Sequence, residues 1–331
     1  MGLVSLPLAG LLNVITSIFA GALISLAEFG SSLPLLTWGE ISWLGYSLYF
    51  IGASAFILTA LGHLKFKRAL FVALAAASFS VVSALGNFSP EIVFLDVGQG
   101  DSTLIRLENR KEILIDGGGS PFSDFDVGKG IIAPALRGFG VDELELVLAS
   151  HVDADHIEGL ISLLDEIPVQ QLVIGASKVG DPLFDALMES AKRNNVQVVQ
   201  VFKGQSITMD NARLDFLNPP HNFYEKDNDN SLTFVLNYKD IPKAVFMGDL
   251  PIEIEKNLAF PKVDILMAGH HGSKSSTSAQ ILAATQPKDI VISYGRNSYG
   301  HPNDGLMKRL AATGARIHET FKEGQIRISL E

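Results

Sequence analysis

The chain of 331 residues contains no cysteine. Disulfides, thiolate metal sites and cysteine nucleophiles are thereby excluded, and any transition-metal site must be built from imidazole and oxygen. Charge is also missing, but only locally: residues 1–27, 41–62 and 69–90 hold none. Apolar stretches of about 20 residues are long enough to cross a bilayer as helices, whereas helices of a soluble core keep one polar face. A secretory signal fits the first stretch badly, because no basic segment precedes it and further apolar segments follow. The sequence therefore predicts a membrane region over residues 1–90, with transmembrane helices at about 3–27, 41–62 and 69–85, the third being the shortest. Lys65, Lys67 and Arg68 assign the second connection to the cytoplasm by the positive-inside rule. The first connection, carrying Glu28 and Glu40, suits the outside. The expected topology is a multi-pass protein of the cell (inner) membrane, with its N-terminus cytoplasmic and residues 91–331 extracytoplasmic.

Positive charge is scarce beyond residue 90, where 23 basic side chains face 34 acidic ones, a net of −11. An acidic domain is a poor generic nucleic-acid binder. Any such contact requires a local basic strip or a bound metal.

Strand and helix signals alternate from Glu91 onward. Apolar runs at 91–97, 103–107, 112–115, 144–149, 171–175, 196–201, 212–216, 231–236, 244–247, 263–267, 290–294 and 325–330 read as strands. Helices are expected at 128–137, 157–164, 182–193, 251–258, 278–284 and 304–312. Sheet dominates first and helices interleave later. Two sheets packed face to face with helices outside, an α+β sandwich, accommodates this order.

The most informative segment is His151-Val152-Asp153-Ala154-Asp155-His156, four potential metal ligands directly after the apolar run Leu144–Ala149. A strand that ends in a tight turn aims such side chains at one point, which divalent cations require and ordinary packing does not. Asp249 and the pair His270-His271 follow later runs in the same way. In this reading His151 and Asp153 bind one cation and Asp155 and His156 a second. Asp249 bridges them, and His270 completes the set with His271 as the second candidate. A cation pair acidifies water and clamps attacking and leaving oxygens, which suits hydrolysis of a phosphodiester or an activated acyl bond. The balance of carboxylate and imidazole suits one or two divalent ions, with Mn²⁺ preferred and Zn²⁺ close behind.

Other polar clusters are candidates for supporting roles. Asp116 is read either as a turn carboxylate or as a group orienting the metal ligands. Asp96 and Asp101, around Gly98-Gln99-Gly100, are turn formers or members of the same supporting layer. Asn230 and Ser231 either form a polar turn before a strand or offer hydrogen bonds to phosphate. Ser273, Lys274 and Ser275 open an expected helix and suggest a phosphate site. Arg296 and Tyr299 can stack on bases, and His301 is a candidate proton donor to a leaving oxygen. His63, His221 and His318 are assigned structural roles.

Taken together, Leu95-Asp96-Val97-Gly98-Gln99-Gly100-Asp101-Ser102, Ile115-Asp116-Gly117-Gly118, Ser150 through Gly159, Gly248-Asp249, His270-His271-Gly272-Ser273 and Tyr299-Gly300-His301-Pro302 resemble the metallo-β-lactamase-like domain of ComEC-type DNA-uptake proteins, over residues 91–331. The resemblance implies an αββα sandwich with a metal-dependent hydrolase site. It further implies a membrane protein of natural competence whose domain degrades the non-imported strand of DNA outside the cytoplasm. Asp155 and His301 would then act in catalysis on single-stranded DNA, beside other channel subunits or a missing channel half. Three departures stand out. The membrane region is shorter than the family's, and its small β-barrel domain is absent. Asp153 stands where the wider superfamily has histidine, which disfavours β-lactam hydrolysis. No histidine follows the strand near Gly175, where many superfamily members place a ligand. Two other functions fit these residues: hydrolysis of another phosphodiester, from cell wall or lipid head group, and a non-catalytic DNA-docking role in a channel.

Overall fold

A computed structural model describes residues 13–14, 16–25, 43–86, 89–120 and 125–331. The chain divides into two compact units, Met1–Thr37 and Trp38–Glu331. In the first, residues 13–14 and 16–25 are helical. The second begins with α1 (Trp43–Ala60) and α2 (Phe66–Gly86), which meet where Gly52 faces Ala73.

Among the described residues no helix is long and apolar enough to cross a membrane. Much of the first expected span lies outside those residues. The other two fall on α1 and α2. The 18 residues of α1 rise roughly 27 Å, short of a hydrocarbon core of about 30 Å. The first turn of α2 carries Lys67 and Arg68. Both helices nonetheless turn large apolar side chains outward, with Tyr49, Phe50, Phe56, Phe71 and Leu74 all more than half exposed.

From Glu91 the chain builds two seven-stranded sheets. The first contains β1 (Glu91–Phe94), β2 (Thr103–Arg106), β3 (Glu112–Ile115), β4 (Leu144–Ala149), β5 (Val169–Ile174) and β6 (Gln197–Gln200). The second contains β7 (Ser206–Met209), β8 (Ala212–Asn218), β9 (Thr233–Tyr238), β10 (Ile241–Phe246), β11 (Ile265–Met267), β12 (Asp289–Ile292) and β13 (Arg316–Glu319). The final strand, β14 (Ile326–Ser329), returns to pair with β1 and closes the first sheet's edge. Strand pairing is antiparallel through β1–β2–β3 and parallel from β3 to β6. In the second sheet it is antiparallel from β7 to β10 and parallel from β10 to β13.

Each sheet buries one face on the other. Ile92, Phe94, Ile105 and Ile113 of the first meet Phe216, Phe234, Phe246 and Met267 of the second. Phe234 stacks on Phe246 at 5.0 Å. The outer face of the first sheet is covered by α3 (Ala133–Gly138), α4 (Ala154–Glu166) and α5 (Pro182–Arg193). A one-turn π-helix at Gly128–Ile132 leads into α3 and accommodates Pro134 at the helix start. The second sheet is covered by helices Ala279–Thr285 and Asp304–Ala311. The result is the αββα arrangement.

One buried charge makes this scaffold pH-sensitive. Burial pushes the Glu112 carboxyl up to about 7, and the neighbouring Arg106 only partly offsets it. Its Oε2 is buried with no hydrogen-bond partner. The folded state therefore binds a proton that the unfolded chain releases near pH 4.5. Stability contributed in acid is lost as pH rises through this window. The expected loss between pH 4.5 and 7 is about 3 kcal/mol. Glu112→Gln should flatten the dependence of the urea midpoint on pH between 5 and 8. A slope equal to that of the wild type would show that Glu112 stays ionised throughout.

Candidate metal centre

The hexapeptide His151–His156 straddles two elements. His151 follows the end of β4, and Asp153 adopts extended geometry (φ −126°, ψ 149°) as the N-cap of α4. Asp155 and His156 therefore sit in the first turn of that helix, which starts three residues earlier than the apolar periodicity suggests. The helix lies directly on the glycine loop that follows β3: Gly117 N–H donates to His156 O at 2.6 Å and Gly159 N–H to Gly118 O at 3.0 Å. The second sheet supplies Asp249 just after β10, and His270-His271 just after β11. Both histidines take left-handed backbone conformations (φ 54° and 51°), which turns their rings in different directions, 85° apart.

These segments converge. The carboxylate of Asp249 lies 3.2 Å from His156 Nε2, 3.5 Å from His270 Nε2, 3.7 Å from His271 Nε2 and 3.8 Å from His151 Nε2. Asp153 lies 3.4 Å from His151 Nε2, and Asp155 3.2 Å from His271 Nε2. Asp101, read from the sequence as a turn or supporting residue, lies 3.2 Å from His271 Nδ1. Asp101, His156, Asp249 and His271 are all buried, with potential ligand atoms within 4.8 Å of one another. The signal that marks Asp101 is its place after a Gly-x-Gly turn at the same sheet edge. His270, expected to take precedence over its neighbour, is the more exposed of the two, and His271 enters the buried cluster.

The electrostatics of this cluster fit a cation. Burial disfavours charge on Asp249, yet the charges of His271 and His156 outweigh it and hold the carboxyl far below its ordinary range. Asp155 is likewise held low, against burial, by the His271 hydrogen bond and the His156 charge. Burial is outweighed again at His156, raised by Asp249 and Asp116, and at His271, raised by Asp249 and Asp101. The carboxylates thus hold protons on imidazoles that face each other at 3.2 Å, Nε2 to Nε2. A cation takes the place of such protons. Among the described residues, Asp101 Oδ1, His151 Nε2 and Asp249 Oδ1 are buried without a hydrogen-bond partner. Buried polar atoms left in this way call for an ion or water.

Supporting contacts are specific. Asp116 Oδ2 meets His156 Nδ1 at 2.9 Å, and its Oδ1 accepts from the Ser150 backbone N–H at 2.7 Å. The His271 Nδ1 also lies 3.1 Å from Ser293 O. The remaining candidates occupy other settings. Asp96 is exposed and accepts from Gly98 N–H in its own turn, away from the cluster. The Asn230 side chain is buried and staples its loop, bonding Tyr224 N–H, Tyr224 O and Lys226 O. Ser231 is buried and accepts from Asp249 N–H. Ser273 bonds Ser275, and the following helix starts only at Ala279, capped by Ser278. Ser273, Lys274 and Ser275 thus do not open a helix. His301 is half-buried, with its ring 5.6 Å from that of His270. Burial and the charges of His270 and His271 lower its pKa. His318 bridges Asp289 and Glu323. His221 stacks on Phe202.

An αββα sandwich with histidines and aspartates gathered at one sheet edge defines a protein of the metallo-β-lactamase fold. The family profile described as "Metallo-beta-lactamase superfamily" matches residues 95–296, and the chain belongs to that superfamily. It is similar to the "ComE operon protein 3" of Bacillus subtilis (strain 168), at 29% identity over 252 residues, covering 71% of this chain and 32% of that protein. "Recombination protein 2" of Haemophilus influenzae shows 31% identity over 241 residues, covering 71% of this chain and 28% of the relative. "Competence protein ComA" of Neisseria gonorrhoeae shows 30% over 242 residues, with 71% and 31% covered. The chain spans about a third of the length of these competence-type relatives. Among solved structures, CmlA, a diiron beta-hydroxylase from Streptomyces venezuelae, aligns with TM-score 0.50 at 14% identity, covering 84% of this chain and 60% of that one. That likeness concerns the fold alone.

Proposed function

We propose that the chain is a metal-dependent phosphodiesterase that acts on DNA during competence-type uptake. The observation that carries this reading is the convergence of four imidazoles on Asp249, with Asp101, Asp153 and Asp155 beside those imidazoles and buried ligand atoms lacking partners. His151, Asp153, Asp249 and His270 would hold one divalent cation. Asp101, Asp155, His156, Asp249 and His271 would hold a second. When bound, such cations act as Lewis acids on a phosphoryl oxygen and acidify water. The protein's own part is to fix their ligands. Asp116 holds the His156 ring in place through Nδ1, which leaves Nε2 aimed at the cluster. His301, beside His270, would hydrogen-bond a leaving oxygen as negative charge develops on it. The equal numbers of carboxylate and imidazole suit Mn²⁺, with Zn²⁺ the alternative.

Membrane attachment belongs to the same proposal. The exposed apolar faces of α1 and α2, with Lys65 between them and Lys67 and Arg68 in the first turn of α2, support a membrane region over residues 1–90 and an extracytoplasmic domain over 91–331. Further channel subunits would complete the pore.

The full chain should degrade DNA when Mn²⁺ is supplied. Asp155→Ala should lower the rate roughly 10³-fold, the equivalent of about 4 kcal/mol. DNA left intact by folded protein across a series of Mg²⁺, Mn²⁺ and Zn²⁺ would defeat the nuclease reading. The net charge of −11 over residues 91–331 favours a second reading, hydrolysis of a cell-wall or head-group phosphodiester. A panel of DNA, bis-p-nitrophenyl phosphate and choline phosphodiesters separates the two.

A further inference from the structure

An imidazole that binds an ion through one ring nitrogen carries its proton on the other. The acceptor of that N–H fixes the orientation of the ring. Two histidines of the cluster have a carboxylate or a backbone carbonyl in this role. His156 Nδ1 faces the Asp116 carboxylate at 2.9 Å, and His271 Nδ1 faces Asp101 at 3.2 Å and Ser293 O at 3.1 Å. His151 differs. Its Nε2 is buried without a hydrogen-bond partner, 3.4 Å from Asp153 and 3.8 Å from Asp249. Among the described residues its Nδ1 has one partner, Ser150 Oγ at 3.0 Å.

Ser150 is itself held on both sides. It is buried, and its N–H donates to Asp116 Oδ1, at the end of β3, at 2.7 Å. Its O accepts from the N–H of Leu232, just before β9 of the other sheet, at 2.8 Å. The hydroxyl is therefore fixed against the His151 ring. Ser150 Oγ also lies 3.3 Å from His156 Nδ1, and the two rings stand 4.1 Å apart with planes tilted by 52°. A hydroxyl oxygen has two lone pairs and can accept from both rings. His156 does not depend on it, because the Asp116 oxygen is closer and charged, and charge-assisted hydrogen bonds are the stronger ones.

We propose that Ser150 is a positioning residue for one of the two cations. Its hydroxyl accepts the His151 Nδ1–H hydrogen bond and so aims Nε2 at the ion shared with Asp153, Asp249 and His270. The ion on His156 and His271 does not need it. The proposal rests on the two-ion reading of the centre and adds what sets the strength of one position apart from the other. An apolar group in place of the hydroxyl would leave the His151 N–H buried and unpaired. That cost favours a ring turned away from the ion.

The test titrates Mn²⁺ into the chelator-treated full chain in detergent by calorimetry, with electron paramagnetic resonance on the same samples. The wild type should take up two ions and give the signal of a spin-coupled pair. Ser150→Ala should weaken one binding event about 10- to 100-fold and keep the other. At Mn²⁺ levels that fill the wild type, its coupled signal should give way to that of an isolated ion. Ser150→Thr, which keeps the hydroxyl, should restore both events, and Ser150→Cys, whose sulfur is a weak acceptor, should fall between. Ser190→Ala, a buried serine whose hydroxyl donates to Ile161 O, should leave both affinities unchanged. An intact coupled signal with unchanged affinities in Ser150→Ala would overturn the proposal. So would equal weakening of both events, the mark of a merely structural role. A wild type that takes up a single ion would overturn the two-ion reading and this proposal together. Selective loss in Ser150→Ala, with DNA and bis-p-nitrophenyl phosphate left intact by the wild type, would support the proposal and defeat the hydrolase reading.

Discussion

Asp249→Ala is expected to empty the metal centre and lower phosphodiester hydrolysis by at least about 10³-fold. Among the described residues, no other carboxylate lies within 4 Å of four imidazoles, as Asp249 does with His151, His156, His270 and His271. Both proposed cation positions share it, so its removal affects both. It is also the charge that raises His156 and His271 most against burial. Metal content of the purified variant by mass spectrometry should fall from the wild-type value towards zero, and turnover of bis-p-nitrophenyl phosphate should fall with it. Asp96→Ala, an exposed turn carboxylate, is the control and should leave both unchanged. Full metal content with unimpaired turnover in Asp249→Ala would mean that the cluster is structural.

The second large effect is on stability and comes from a residue without a side chain. A Cβ at Gly159 would lie 2.0 Å from Gly117 O and 3.1 Å from Gly128 N. These neighbours are backbone and cannot rotate away, so α4 must shift. Overpacking of this kind costs about 3 kcal/mol. The displaced helix carries Asp155 and His156 in its first turn, and the loop it leaves carries Asp116, the partner of His156. Gly159→Ala should therefore lower the thermal midpoint by several degrees and weaken metal binding together. An alanine variant as stable as the wild type would show that helix and loop are not locked. Gly138→Ala is the control, since nothing lies within 4 Å of its Cβ direction.

Much of this architecture is legible in the sequence where apolar residues run together. Leu144–Ala149 and Pro182–Arg193 fall on the boundaries that the periodicity indicates. The pattern fails at the two edge strands of the second sheet. Ser206–Met209 and Arg316–Glu319 are partly exposed and polar, because each pairs on one side only. No apolar run marks them. The site divides in the same way. Donors concentrated in a short motif are visible as a group, and the structure brings His151, Asp153, Asp155, His156, Asp249, His270 and His271 together. Asp101 depends on the packing of its Gly-x-Gly turn against the first turn of α4, with Asp101 N–H bonded to Asp155 O, which no local pattern encodes. Polar composition alone is less decisive at Asn230, Ser231 and Ser273. Their polar composition resembles a phosphate site, but their hydrogen bonds close loops within the fold.

The donors come from two separate sheets. His151 to His156 belong to the edge of the first, Asp249 and His270-His271 to that of the second. An ion held between them is a reversible rivet across the sandwich. Any ion bound only in the folded state should raise the melting temperature, with a gain of about 2.7 kcal/mol at a hundredfold excess over its Kd. Melting curves in ascending concentrations of competing ions would then rank the metals without any substrate, and a chelator should loosen the whole domain as one cooperative body.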